Sequence, residues 1–163
     1  MMSATPESRI SSLGITLPSG ATPLANYVPY RKSGHLVFVS GQLPKEVKED
    51  GSAFLPPRVN SGESCTVEEG QAAAKACGLN MIAQVKEACG GDLSKVKSVV
   101  KVEAFVNSTP DFVDQPKVIN GCSDLLVAVF GEDVGRHSRF AIGCSSLPMG
   151  VAVEIGGVFE VSD

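Results

Sequence analysis

The chain contains no tryptophan and, in 163 residues, only two tyrosines and two histidines. His35 and His137 stand far apart and neither belongs to an HxxxE or HxH arrangement, so a local histidine-based metal motif is excluded. Apolar stretches are short: Lys, Glu or Gly interrupts each well before the ~18 consecutive residues that a membrane-spanning helix needs. Positive charge is also scarce, with 14 Lys plus Arg against 18 Asp plus Glu, a net charge of −4 and a pI near 5.2. A chain of that balance, with no run of basic residues, is not built chiefly to clasp nucleic acid. Cysteine is present at Cys65, Cys77, Cys89, Cys122 and Cys144 but forms no CxxC pair. An odd count without metal-like spacing argues against a disulfide framework or a zinc site and for reduced thiols. The opening MMSATPESRISSLGITLPSG lacks the apolar core of a secretory signal and the Arg-rich character of a mitochondrial one, so the cytoplasm is the expected location. No GxGxxG, GxxxxGK or GxSxG occurs, which leaves the phosphate-cradle and nucleophile-elbow classes without support.

What the chain does have is apolar substance. Hydrophobic residues make up 43% and charged residues 20%, and mean hydropathy is +0.12, the composition of an ordinary globular protein. The length fits one domain over 1–163, with an N-terminal extension (1–26) carrying a short helix and a surface excursion over 45–65. Pro6-Glu7 followed by Arg9–Leu13 reads as that short helix. Tyr27–Arg31 and His35–Ser40 read as strands around a Lys32-Ser33-Gly34 turn, with HLVFVS expected to be buried on both faces. Thr66 opens a long helix with Glu69 at capping-box spacing, a broad apolar stripe through Ala72, Ala76, Leu79 and Ala83, and Gly90-Gly91 at its end. After a turn at Asp92–Val96, SVVKVEAFVN (Ser98–Asn107) is a strand and Pro110–Phe130 a second helix. Arg139–Cys144 and Val151–Val161 complete the order β-β-α-β-α-β-β. Two helices on one face of a mixed sheet make an α+β sandwich. The strands are apolar on both sides while helices suffice for one, so a second cover is required, and self-association supplies it most economically.

Chemistry narrows to a few polar residues at apolar strand edges. Arg139 stands at the start of Phe140-Ala141-Ile142, and Glu154 interrupts Val151-Ala152-Val153 and Ile155. A structural ion pair, or an edge strand with one solvated face, accounts for them. So does a pocket in which Arg grips an anion and a partly desolvated Glu handles protons. Cys65, beside the helix start at Thr66, is the one thiol placed for activation, and an ordinary loop thiol is the simpler reading.

Three runs carry a family resemblance: SGHLVFVSGQLP (Ser33–Pro44), VKVEAFVNSTPDF (Val100–Phe112) and SRFAIGCSSLPMGVAVEIGGVFEV (Ser138–Val161). Together they resemble the RidA family of reactive intermediate deaminases, also called YjgF or endoribonuclease L-PSP. The likeness covers nearly everything from Tyr27 to Val161 in order. It implies a chorismate-mutase-like fold assembled as a homotrimer with clefts between subunits, no metal and no organic cofactor. It also implies hydrolysis of small carboxylate-bearing enamines and imines such as 2-aminoacrylate to a 2-oxo acid and ammonia. A non-catalytic trimeric binder of 2-oxo acids is the alternative, and an endoribonuclease the weaker one, since nucleic acid and membrane are not expected partners. By resemblance, Arg139 grips the substrate carboxylate and Glu154 relays protons through water. Tyr27, Ser40, Gly41 and Asn120 line the ligand site, and Ala141 occupies the place of a frequent family cysteine, where a backbone contact is expected. The longer 45–65 excursion, and Arg136 and His137 ahead of Arg139, mark a divergent subgroup.

Overall fold

The longest helix, α2 (Val67–Ala88), is defined by its ends. The Thr66 hydroxyl accepts the Glu69 N–H at 3.2 Å and the Glu69 carboxylate accepts the Thr66 N–H at 2.8 Å, so two orphan donors of the first turn satisfy each other's residues. At the other end Gly90 and Gly91 take positive φ, and their N–H groups return to Glu87 and Lys86 carbonyls. This computed structural model describes residues 4–19, 26–47, 53–54 and 65–163.

The remaining elements are α1 (Pro6–Ser12), β1 (Tyr30–Ser33), β2 (Leu36–Gln42), the short hairpin β3 (Glu46–Val47) and β4 (Ala53–Phe54), β5 (Val96–Asn107), α3 (Gln115–Phe130), α4 (Glu132–Gly135), β6 (Ser138–Cys144) and β7 (Val153–Val161). The expected surface excursion over 45–65 lies mostly outside the described residues; β3 and β4 are the part seen. Helix α3 starts five residues later than its sequence suggests. A turn closed by the Phe112 N–H on the Thr109 carbonyl precedes it, and Pro116 sits in the first helical turn, where its missing donor costs nothing.

Five strands form one sheet in the order β1-β2-β7-β5-β6, with β5 and β6 parallel and the other pairs antiparallel. Helices α2 and α3 pack side by side on one face, burying Met81, Ile82, Val85, Ile119, Cys122 and Leu126 against Val37, Val102, Ile155 and Phe159. The helices approach so closely that a Cβ at Gly121 would fall on the Gln71 carbonyl, and the Gln71 amide donates to the Lys117 carbonyl at 2.9 Å. Among the described residues no helix is long and apolar enough to cross a membrane.

Among the described residues, the other sheet face has no helical layer. The expectation that HLVFVS is buried on both faces fails here: Val37 and Val39 are buried while Phe38 between them is 44% exposed. Strand side chains alternate, and among the described residues only the helix side is covered within one chain. Phe105 and Ile142, 37% and 47% exposed, share that open face with Phe38. Phe105 meets Phe140 edge-on at 5.7 Å, and the Lys101–Glu103 pair sits beside them at 2.8 Å. An apolar sheet face of this extent is the surface that the sequence left in need of a partner.

Candidate functional site

The seven residues singled out from the sequence fall into two groups. The first is built where edge strand β6 runs along α3. Register pairs Arg139 with Val102, whose side chain is buried under the helices, so Arg139 also projects to the helix side. There its Nη1 donates to the Ser123 hydroxyl at 2.9 Å, and its Nη2 donates to the Asn120 amide oxygen at 2.9 Å and the Pro116 carbonyl at 3.3 Å. Residues 116, 120 and 123 recur at helical spacing, so one face of α3 presents three acceptors to one guanidinium. Asn120, identified separately from Arg139, is thereby joined to it. Ala141 lies two residues further along β6, partly buried against the core opposite Ala104.

Ser123 and Pro116 were not singled out beforehand, and His137, noted only as standing ahead of Arg139, is the partner behind Ser123. His137 Nε2 lies 3.0 Å from the Ser123 hydroxyl and its Nδ1 lies 2.7 Å from the Gly135 carbonyl. The spacing of His137 and Arg139, two apart at a strand start, placed them on one side. Only the packing of α3 on β6 shows that Ser123 stands between them. Next to Ser123 on α3, burial pushes the Cys122 thiol up to about 12, outweighing the opposite pull of Arg139, so this cysteine stays protonated and inert.

The second group lies on the open face. Glu154 on β7 is paired in register with Phe105, and its carboxylate rests over the backbone of Gly41. A Cβ at position 41 would meet that carboxylate where it stands, so a larger residue there would displace the Glu154 side chain. The β2–β7 register shifts between Val39 and Gln42, a bulge that carries Ser40 and Gly41 out of the regular ladder beside Glu154. The Ser40 hydroxyl donates to the Val28 carbonyl at 2.7 Å, tying the exposed Tyr27 segment to the same corner. Ser40, Gly41 and Glu154 thus share one corner, to which the backbone next to Tyr27 is tied. Burial raises the Glu154 carboxyl above its ordinary value.

Within one chain the two groups do not meet. Arg139 and Glu154 are two strands apart, roughly 10 Å across at the usual strand spacing, and project from opposite faces. Arg139 is accordingly not among the causes that shift the Glu154 carboxyl, which is raised by burial. Neither of two cavities beside α3 is lined by Arg139 or Glu154: one of about 190 Å³ near Cys65, Val106 and Phe112, the other of about 670 Å³ near Ser108, Gln115 and Cys144. At Cys65 burial and the nearby Glu69 both raise the thiol, which is the ordinary loop thiol rather than an activated one.

Residues 7–155 match the family described as "YjgF/chorismate mutase-like, putative endoribonuclease". Over 154 residues the chain is 49% identical to Protein TCP17 of Trypanosoma cruzi, covering 94% of this chain and 92% of that protein. Among solved structures, Atu1372 of Agrobacterium tumefaciens, described as of unknown function, is 46% identical with a TM-score of 0.82, covering 96% of this chain and 92% of that one. A "putative endoribonuclease" from Shewanella oneidensis is 36% identical with a TM-score of 0.85, covering 97% of this chain and all (100%) of that one. Because the match runs from α1 into β7 and the relatives superpose on the whole sheet, this chain belongs to the YjgF/RidA family of chorismate-mutase-like proteins.

Proposed function

We propose that the chain hydrolyses small carboxylate-bearing enamines and imines to a 2-oxo acid and ammonia, in clefts between the subunits of a homotrimer. The observation that carries this reading is the division of the candidate site. An exposed guanidinium stands on edge strand β6, and a half-buried carboxylate stands on an apolar face with no cover of its own. The β6–α3 edge of one copy laid on the open face of the next closes both deficits at once.

The chemistry suits these groups. An enamine gains a proton at carbon and gives one up from nitrogen to become an imine, and water then adds across C=N. As the C–O bond forms, Glu154 takes a proton from the water and delivers it to nitrogen. The carbinol proton then passes to nitrogen through the same carboxylate as the C–N bond breaks, so ammonia leaves and the 2-oxo acid forms. A carboxylate raised by burial exchanges protons closer to neutral pH than an ordinary one. Arg139 orients the substrate through its carboxylate, a planar ion-to-ion match that lysine does not reproduce. The relatives' endoribonuclease names find less support: His35 follows the β1–β2 turn and His137 leads into β6 at the opposite sheet edge, so no histidine pair forms in one chain.

The test is 2-oxo acid release from 2-aminoacrylate generated enzymatically in the assay. Wild type should accelerate it over the buffer rate, and Arg139→Ala should fall back to that rate. Wild-type release no faster than buffer, with pyruvate still bound, would turn the reading to a binding protein.

A further inference from the structure

We propose that Ser123 and His137 are positioning residues that orient Arg139 for anion binding through a one-way hydrogen-bond relay. The inference rests on the reading of Arg139 as the anion-binding group.

The direction of the relay follows from its far end. A carbonyl only accepts, so the 2.7 Å contact with Gly135 places a proton on His137 Nδ1. The neutral ring then offers a lone pair at Nε2, and the Ser123 hydroxyl, 3.0 Å away, donates to it. That commits the Ser123 proton and leaves its oxygen facing Arg139 Nη1 at 2.9 Å as an acceptor. Arg139, Ser123, His137 and the Gly135 carbonyl therefore form a chain in which every donor points the same way. Its anchor is rigid, because Gly135 is buried where a Cβ would strike the backbone of Leu126 and Val127, on the same α3 that carries Ser123. Asn120 and Pro116 hold Nη2, so three of the five guanidinium N–H groups are engaged on α3. The Nε–H and one Nη1–H remain for an incoming anion.

The experiment measures pyruvate affinity calorimetrically at pH 8.5, with imidazole nitrogen NMR on the same samples. The wild-type His137 ring should carry its proton on Nδ1. His137→Gln keeps an acceptor near the Nε2 position and should hold affinity to within about threefold of wild type, whereas His137→Leu leaves the Ser123 hydroxyl without that acceptor and should weaken binding about tenfold. Equal affinity in His137→Leu and wild type, or an Nε2–H tautomer in wild type, overturns the relay and leaves the anion site standing. No pyruvate binding by wild type overturns the Arg139 reading and this inference with it.

Discussion

Arg139 and Glu154 project from opposite faces of one sheet, with β5 between their strands. No side-chain rotation brings the guanidinium of one to the carboxylate of the other. If both act on one substrate, they come from different copies of the chain.

That requirement gives a mixing test. Arg139→Ala and Glu154→Gln should each be inactive alone. Co-refolded in equal amounts, random assortment leaves roughly a quarter of the clefts with both native residues, so about a quarter of wild-type activity should return. Native mass spectrometry should show a species about three times the chain mass. A monomer at micromolar concentration, or a mixture that stays at background, would remove the composite cleft.

Replacing Arg139 should show in affinity before rate. Losing a charged hydrogen-bonding partner costs about 2–3 kcal/mol, so Arg139→Ala should weaken 2-oxo acid binding roughly 30–150-fold. Arg139→Lys keeps the charge but cannot hold Ser123, Asn120 and a carboxylate together, and should recover little of that loss. Calorimetry with 2-oxobutyrate checks both. Unchanged affinity in both variants would move the anion site to another cation, beginning with Arg136.

Much of this arrangement is written in local signals. The Thr66–Glu69 capping box, the Gly90-Gly91 stop and the turn before β5 are each decided within a few residues, and all three are found. The uncovered face was legible because two helices cannot bury both sides of five apolar strands. What failed was the reading of HLVFVS as doubly buried, since composition reports how apolar a strand is and not which side has a cover. The later start of α3 escaped for a similar reason: Pro110 and Pro116 both suit a helix N-terminus, and the turn at Thr109–Phe112 selects between them. Asn120 and Arg139 were identified separately by resemblance. Their contact, with Ser123 and His137 behind it, depends on α3 packing against β6, and no short window contains both.

Helix packing gives a stability prediction away from the site. In an exposed helix, Gly121→Ala would favour folding by about 1 kcal/mol through propensity alone. Here the new methyl meets the Gln71 backbone of α2, which cannot rotate aside, and Val118 and Gly70 already hold the helices in contact one turn earlier. Overpacking should dominate, with a net loss of about 1–3 kcal/mol in urea unfolding. A more stable Gly121→Ala would mean that α2 and α3 sit further apart than described.

Glu154 separates structure from chemistry because its two roles predict opposite signs. Burial raises its carboxyl above the usual 4.5, so the native chain binds that proton more tightly than the unfolded chain. The associated stability is complete below the unfolded value and is lost as pH rises through the native one. Glu154→Gln carries no charge to desolvate and escapes that loss. The variant should therefore melt higher than wild type at pH 7, with the gap closing toward pH 4. As the proposed base, Glu154 must be ionised, so wild-type kcat/KM should fall as pH drops through the same raised value, and Glu154→Gln should lose about 100-fold or more. A variant both stabilised and inactive marks a carboxylate kept at a cost to folding because the reaction needs it. A variant stabilised but fully active would make Glu154 dispensable and shift proton transfer to Tyr27 or to a water beside Asn120. A variant destabilised at pH 7 would show that the assembled protein pairs the Glu154 charge with a cation, and Arg139 of a neighbouring copy is the first to test by double-mutant cycle.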